Sequence, residues 1–528
     1  MYRAYDGTII TMRKTYAYNI AVAILLLFIV FIHLFMLGSV PRGIMADEMG
    51  MAYDAWSIGN FGVDRYLNSF PLYLSNFGGG QSALYCYLDI PFIMLGGITA
   101  TMIRMPAFIF SMLTCICGFR IVNRTLSRRA GIIYLAIFAL VPYFTMAGRI
   151  GLDCNLMLGA CVLMLDLLTK AMDVTLEESS RGRLYLAAGI TAGMVFYTYA
   201  LSYVILPLLL ILYFSYLFWL RRIKIKDLLR FAIPMVILAL PLVIIQVINI
   251  FDLPVLHLGP FTLTKLPAYR GGEFTVHAVF EDMRWLWISI FGVDTTEFDE
   301  FKYFSTLYPV SIILIVAGIV IAVISTIRSV KRREYDFKTV ILMYCFSICL
   351  VSLFITGVTT YRINALFFGL AYLMVIPLDK AKHKLTLWIA GGIYAICFIF
   401  FIHYYLVDYP HDIYPQRLFA EDMSPAIEYL EQQPDEVKNR LTCVIGVDEG
   451  YVYYLAATHT SPYDYDVNTY GNNGDGTYES GGVIFYTTEP FRTDCNYILY
   501  ATDDETLDKY KELGFDVSER GAYWVVVD

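Results

Sequence analysis

Two adjacent acids, Asp47 and Glu48, stand in "PRGIMADEMGMAYDAWSIGNFG" (residues 41–62), directly after the apolar run "NIAVAILLLFIVFIHLFMLGSV". A carboxylate pair can divide labour: one takes the proton of an incoming hydroxyl, the other orients it or holds a cation. "AGRIGLDCN" (147–155) sets Arg149 and Asp153 four residues apart, one turn from each other if helical. "TTYRINALFF" (359–368) carries Arg362 and Asn364. Arginine is a permanent charge whose planar fork suits phosphate oxygens. Acids and arginines of this kind suit transfer of a group from a phosphorylated lipid to a hydroxyl, with a base on the acceptor and a cation on the departing phosphate. Each motif also has a plainer reading: acids solvated at a span end, an Arg149–Asp153 ion pair that only holds structure, and a snorkelling Arg362. Whether the chain brings the three to one membrane face decides between them.

The elements that must do so are membrane helices. Of 528 residues, 58% are hydrophobic and 16% charged, which excludes a soluble globular chain of this size. Apolar runs long enough to cross a bilayer recur near 20–40, 100–123, 130–147, 155–171, 184–200, 201–220, 231–250, 306–327, 338–356, 363–378 and 385–405, about eleven in all. The expected fold is a polytopic α-helical membrane protein whose first run stays as an anchor, being longer than a signal sequence and without a cleavage site. Basic clusters at Arg3, Arg13 and Lys14, at "RTLSRR", "RRIKIKDLLR", "RSVKRREYDFK" and "KAKHK" belong on the cytoplasmic side. The N-terminus is then cytoplasmic and residues 406–528 extracytoplasmic. "SALYCYLDIPFIMLGGI" (82–98) carries Asp89 and Pro91, and a crossing there would invert every later cluster. It is expected as an interfacial or re-entrant helix on the outer face.

This topology collects Asp47, Glu48, Asp54, Asp64, Arg149, Asp153 and Arg362 on the outer side, in loops near 41–99, 148–155 and 251–305 and at the foot of a later span. The tail 406–528 has 24 acidic and 7 basic residues, against 23 acidic and 32 basic in 1–405. So sharp a change in charge marks a domain boundary. "SPAIEYLEQQ" and "DDETLDKYKELG" read as helices, and "LTCVIGV", "GGVIFYTT", "NYILYAT" and "YWVVV" as strands, of a small α/β domain. Cys443 and Cys495, the two cysteines of this tail, are either a disulfide of an extracytoplasmic domain or two buried thiols. "DYDVNTYGNNGDG" (464–476) spaces Asp464, Asp466, Asn468, Asn472 and Asp475 like calcium-loop ligands, but Thr469 stands where the loop needs Gly. A polar, tyrosine-rich loop touching the acceptor is the alternative. The seven histidines are scattered, which argues against zinc. No cofactor is certain, and a hard divalent cation on the carboxylates stays compatible.

"DEMGMAYDAWSIGNFG", "SALYCYLDIPFIMLGGITATMIRMPAFIFSMLTCICGFRIVNRTLSRRAG" and "ALVPYFTMAGRIGLDCNLML" together resemble the membrane glycosyltransferases of the C-type (GT-C) fold, in particular the bacterial protein O-mannosyltransferase and aminoarabinose-transferase relatives. The resemblance runs over residues 15–220, weakens toward 405 and does not extend to the tail. It implies that Asp47 is the catalytic base, Glu48 its neighbour and Asp153 the acid that orients base or acceptor. Arg149 and Arg362 would contact the lipid phosphate, while Asp54, Asp64 and Arg104 are structural by default. The implied donor is a polyprenyl-phosphate sugar, the acceptor a hydroxyl of a glycan, lipid or protein, and the outcome inversion at the anomeric carbon. The implied setting is the plasma membrane, with lipid and not nucleic acid as partner. A transporter or flippase would explain the spans equally well, but would place ionisable groups near the midplane in paired halves. Asp166 is the main mid-chain acid and paired halves are missing. A sensor or assembly protein that works through its acidic tail is the third class.

Overall fold

The computed structural model describes residues 2–77, 79–266, 279–292, 303–355, 357–411, 418–465, 478–480, 482–486, 494–500 and 502–527. Asp466, Asn468, Thr469, Asn472 and Asp475 of the calcium-like spacing lie outside them. The chain forms two compact units, one of Met1–Phe35, Ala107–Leu240 and Gly271–Ile402, the other of Met36–Pro106, Pro241–Arg270 and His403–Asp528.

The first unit is helical. Every apolar run expected as a span contains a helix, and among the described residues seven helices are long and apolar enough to cross a membrane: Tyr16–Leu34, Ala100–Thr125, Cys154–Ala171, Ser202–Trp219, Ile225–Ile250, Ser311–Arg332 and Lys384–His411. The other expected spans fall short for two reasons. Arg128–Leu140, Phe337–Ser352 and Leu366–Lys380 have 13, 16 and 15 residues, which at 1.5 Å per residue reach about 20–24 Å of a hydrocarbon core of about 30 Å. Glu178–Val195 opens on "ESSRGR", too polar for the bilayer interior. Leu84–Gly96, with 13 residues, is likewise too short to cross, in keeping with an interfacial or re-entrant helix.

Leu366–Lys380 is the core of this unit. It packs against Ser311–Arg332, Arg128–Leu140, Phe337–Ser352 and Cys154–Ala171, and its residues from Leu366 to Ile376 are all buried. In lipid, apolar side chains gain nothing by leaving water, so helices associate through close backbone approach at small residues. Gly318 shows this: a Cβ there would lie 2.1 Å from the Leu373 carbonyl oxygen. Asp166, buried near the end of Cys154–Ala171, is neutralised by Arg120 at 3.2 Å and Arg124 at 2.9 Å.

The second unit joins the tail, from His403 on, to the earlier segments Met36–Pro106 and Pro241–Arg270. Its mixed sheet runs Asp516–Arg520, Tyr523–Val527, Cys495–Tyr500, Leu441–Ile445, Val483–Tyr486, Tyr478–Ser480. The third, fourth and fifth of these strands are parallel. Cys443 is in register with Tyr497 and Cys495 with Leu441. The two thiols thus sit diagonally on neighbouring strands, wider apart than a disulfide spans. Ile44–Met45 pairs antiparallel with Phe419–Ala420, and helix Ala46–Phe61 packs on helix Gly450–Thr458. Tyr453 donates to the Ile44 carbonyl at 2.7 Å, Tyr53 to that of Thr460 at 2.6 Å and Tyr500 to that of Phe419 at 2.9 Å. One hydrophobic cluster runs from Met49 and Tyr53 to Val444, Ile498 and Tyr523.

Gly318→Leu forces Ser311–Arg332 away from the central helix. Its expected cost is about 1–3 kcal/mol, read as a lower melting temperature of the detergent-solubilised protein; an unchanged melting temperature would contradict this packing.

Candidate active site

Asp47 and Glu48 open helix Ala46–Phe61 and go different ways. Glu48 folds back over the helix start: its Oε2 accepts from the Met45 amide at 3.0 Å, satisfying one of the donors every helix start leaves over. Its Oε1 lies 3.2 Å from Arg104 Nε. Arg104 spends its remaining nitrogens on backbone, donating to the carbonyls of Leu37 at 2.9 Å, Pro41 at 3.0 Å and Gly43 at 2.7 Å. Both side chains are wholly buried. A buried charge persists only when paired and hydrogen-bonded, and this arrangement meets both needs.

Asp47 remains half-buried. Asn76 Nδ2 donates to its Oδ1 at 2.8 Å, and Asn76 Oδ1 in turn accepts from Arg65. Arg65 is 1% exposed and lies 3.6 Å from Asp54 Oδ2, while its amide donates to Asp54 Oδ1 at 3.0 Å. Asp47, Gly50 and Asp54 follow at helical spacing along one face. A Cβ on Gly50 would meet Arg65 Nη1 at 2.7 Å, so glycine is what admits the guanidinium. Phe77 and Tyr66 flank it, with ring centroids at 5.0 and 5.6 Å. Asp64 shapes the turn that delivers Arg65, accepting from the amides of Tyr66 at 3.0 Å and Asn68 at 2.8 Å. Glu449 lies in the loop after the central strand Leu441–Ile445, at the start of helix Gly450–Thr458, which packs on the acidic helix Ala46–Phe61. Burial, with the charge of Asp448, pushes its carboxyl up to about 7; Arg65 opposes the shift and Asp47 adds to it.

The sequence reading did not single out Arg65, Asn76 or Glu449. The available signal was Gly50 in mid-helix, where glycine costs about 1 kcal/mol relative to alanine and therefore marks a close approach.

Asp153, Arg149 and Arg362 belong to the helical unit. Arg149 is buried, and its Nη1 donates to the carbonyls of Ile32 at 2.8 Å, His33 at 3.1 Å and Phe35 at 2.8 Å, closing the C-terminal end of the first helix. The helical-turn geometry expected for Arg149 and Asp153 does not form, because the helix begins only at Cys154 and residues 148–153 are irregular. Asp153 accepts from the Cys154 amide at 2.7 Å. Asn364 donates to the Cys154 carbonyl, which ties the 359–365 segment to the start of this helix. Arg362 is half-buried, its guanidinium 5.9 Å from the Tyr361 ring centroid. Among the described residues, no group of three or more His, Cys, Asp or Glu side chains is placed to hold a metal ion.

The whole chain is similar to ArnT from Cupriavidus metallidurans in the apo state, with a TM-score of 0.57, 12% sequence identity and 98% of each chain covered. The fold is that of a C-type membrane glycosyltransferase. The structure of the same ArnT bound to undecaprenyl phosphate matches this chain with a TM-score of 0.55 and 12% identity over 96% of it and 97% of ArnT. The archaeal oligosaccharyltransferase AglB from Archaeoglobus fulgidus, in complex with an inhibitory peptide and a dolichol-phosphate, matches with a TM-score of 0.48 and 14% identity, over 85% of this chain and 64% of AglB. Residues 84–248 match the family model of the dolichyl-phosphate-mannose-protein mannosyltransferases. That interval contains Arg104, Arg149 and Asp153 and leaves Asp47, Glu48 and Arg362 outside. No curated protein sequence matches the chain.

Arg104→Ala strands the Glu48 carboxylate in a buried site. A loss of about 3–5 kcal/mol is expected, measured as thermal stability in detergent, with Glu48→Gln costing less because it leaves no lone charge. Equal stability of Arg104→Ala and wild type would remove the clamp assigned to Arg104.

Proposed function

We propose that the chain is a glycosyltransferase that moves a sugar from a polyprenyl-phosphate donor to a hydroxyl acceptor on the extracytoplasmic face of the plasma membrane, with inversion. The observation that carries this reading is the contrast between neighbouring acids. Glu48 and Asp54 are buried against arginines, whereas Asp47 is partly open and is held by Asn76, itself fixed by Arg65. A base needs both reach and a fixed orientation.

In the proposed reaction the acceptor oxygen attacks the anomeric carbon and its proton passes to Asp47. The bond from that carbon to the phosphate oxygen breaks, and polyprenyl phosphate leaves. Arg362, half-buried beside Tyr361, takes the developing phosphate charge. Arg149 supports this from a distance, because its Nη1 is engaged with the carbonyls that close the first helix. Asp153, fixed at the start of its helix, orients the acceptor. The ArnT structure with undecaprenyl phosphate and the family named for dolichyl-phosphate-mannose favour a lipid-phosphate donor. Asp166, the acid a transporter would need unpaired in its span, is held by Arg120 and Arg124, which weighs against a flippase.

Purified protein incubated with a panel of polyprenyl-phosphate sugars and membrane acceptors should release polyprenyl phosphate and transfer labelled sugar. Asp47→Asn should lower turnover by roughly 10²-fold or more, the scale for loss of a general base. Donor consumed equally by wild type and Asp47→Asn would remove Asp47 from the role. Asn76→Ala should lower turnover by a smaller factor, because it frees Asp47 without removing it.

A further inference from the structure

The tail segment supplies a group to the Asp47 site that the proposed reaction does not use. Leu441–Ile445 is the central parallel strand, flanked by Val483–Tyr486 on one side and Cys495–Tyr500 on the other. The chain therefore leaves this strand toward one neighbour and later returns to the other. In open α/β sheets, ligands bind outside the carboxyl ends of strands at such a switch point. The segment there is "GVDEG", residues 446–450, which leads into helix Gly450–Thr458.

Three observations converge on Glu449 in this loop. Its backbone is left-handed, with φ of 51°, a strained conformation for a residue with a Cβ and one that concentrates at functional sites. Its Oε2 is buried without a hydrogen-bond partner among the described residues. Two residues on, the Tyr451 ring lies 6.2 Å from that of Phe77, which is itself 5.0 Å from the Arg65 guanidinium, so this loop adjoins Arg65. Independently, Arg65 is 1% exposed, and its Nε and Nη1 have no hydrogen-bond partner among the described residues. A buried polar atom left unmatched costs about 1–3 kcal/mol, and more for a charged group. Here an unmatched acceptor and unmatched donors belong to one group of side chains. A hydroxyl both gives and receives a hydrogen bond and so matches the two. A phosphate would meet the Asp47 and Glu449 carboxylates as like charge.

We propose that Glu449 and Arg65 form an acceptor subsite beside Asp47, in which one hydroxyl of a glycan donates to Glu449 Oε2 and receives from Arg65 while a neighbouring hydroxyl is presented to Asp47. The acceptor is then a sugar with adjacent hydroxyls, and Glu449 is the residue by which the tail selects it. This rests on the reading of Asp47 as the base.

The test measures steady-state transfer by the full-length protein to two acceptor sets, oligosaccharides and a Ser/Thr peptide, for wild type, Glu449→Gln and Glu449→Gly. Wild type should use an oligosaccharide and not the peptide. Both variants should raise the oligosaccharide KM about tenfold or more, as expected for loss of a charge-assisted hydrogen bond, with donor KM unchanged. Glu449→Gly should melt no lower than wild type, since glycine relieves the left-handed backbone. A structural role alone would instead lower the melting temperature and shift both KM values together. Unchanged acceptor KM in both variants, joint loss of stability and donor binding, or peptide transfer at the glycan rate would each overturn the proposal. A wild type that consumes no donor, or Asp47→Asn that matches wild type, would overturn the underlying reading and this one with it.

Discussion

The ion pair between Glu48 and Arg104 is the constraint on which the rest of the second unit depends. A guanidinium carries five donors and cannot shed its charge in a protein. Burying one obliges the chain to bring carbonyls and a carboxylate to it, and Arg104 gathers those of Leu37, Pro41 and Gly43 together with Glu48. The segment between the first membrane helix and the acidic helix is thereby held at three places. Glu48, bound to the Met45 amide as well, sets where the acidic helix begins. With that start fixed, Asp47, Gly50 and Asp54 fall on a face that can receive Arg65.

Burial and pairing then sort the carboxylates. Successive residues on a helix point about 100° apart, so Asp47 and Glu48 cannot meet the same surroundings. Glu48 points into an arginine pocket and is committed. Asp54 is committed by Arg65 one loop later. Asp47 keeps a polar contact to Asn76 and partial exposure, the combination in which a carboxylate is both oriented and accessible. Arg149 follows the logic of Arg104 in the helical unit: carbonyls at a helix end are strong acceptors in a medium with little water, and they capture the nearest guanidinium.

The tail packs against the loop and helix that follow the first membrane helix with the same economy of tyrosines. Tyr453, Tyr53 and Tyr500 each bury a ring in the shared core while the hydroxyl reaches a carbonyl, which is how a large side chain crosses from apolar to polar ground without leaving an unmatched atom. Such packing holds Glu449 in a backbone conformation it would not adopt alone.

Hydropathy was enough to show a polytopic membrane protein and to locate each helical run, and local pattern to read two helices and four strands of the tail but not helix Gly450–Thr458 or strand Asp516–Arg520, because helix formation in a membrane and alternation in a strand are set by neighbours along the chain. The spacing of Arg149 and Asp153 left their geometry open for the opposite reason. Four residues make a turn only if the segment is helical, and the pull of the first helix's end on Arg149 lies more than a hundred residues away in sequence. That the tail shares a unit with Met36–Pro106 was equally hidden, since a change in net charge marks a solvated surface and says nothing of which core that surface covers. The surroundings of Asp47, Glu48, Arg65 and Glu449 were decided by tertiary structure alone. A residue's type fixes what it can donate or accept, and only the folded chain determines which unmatched groups compete for it.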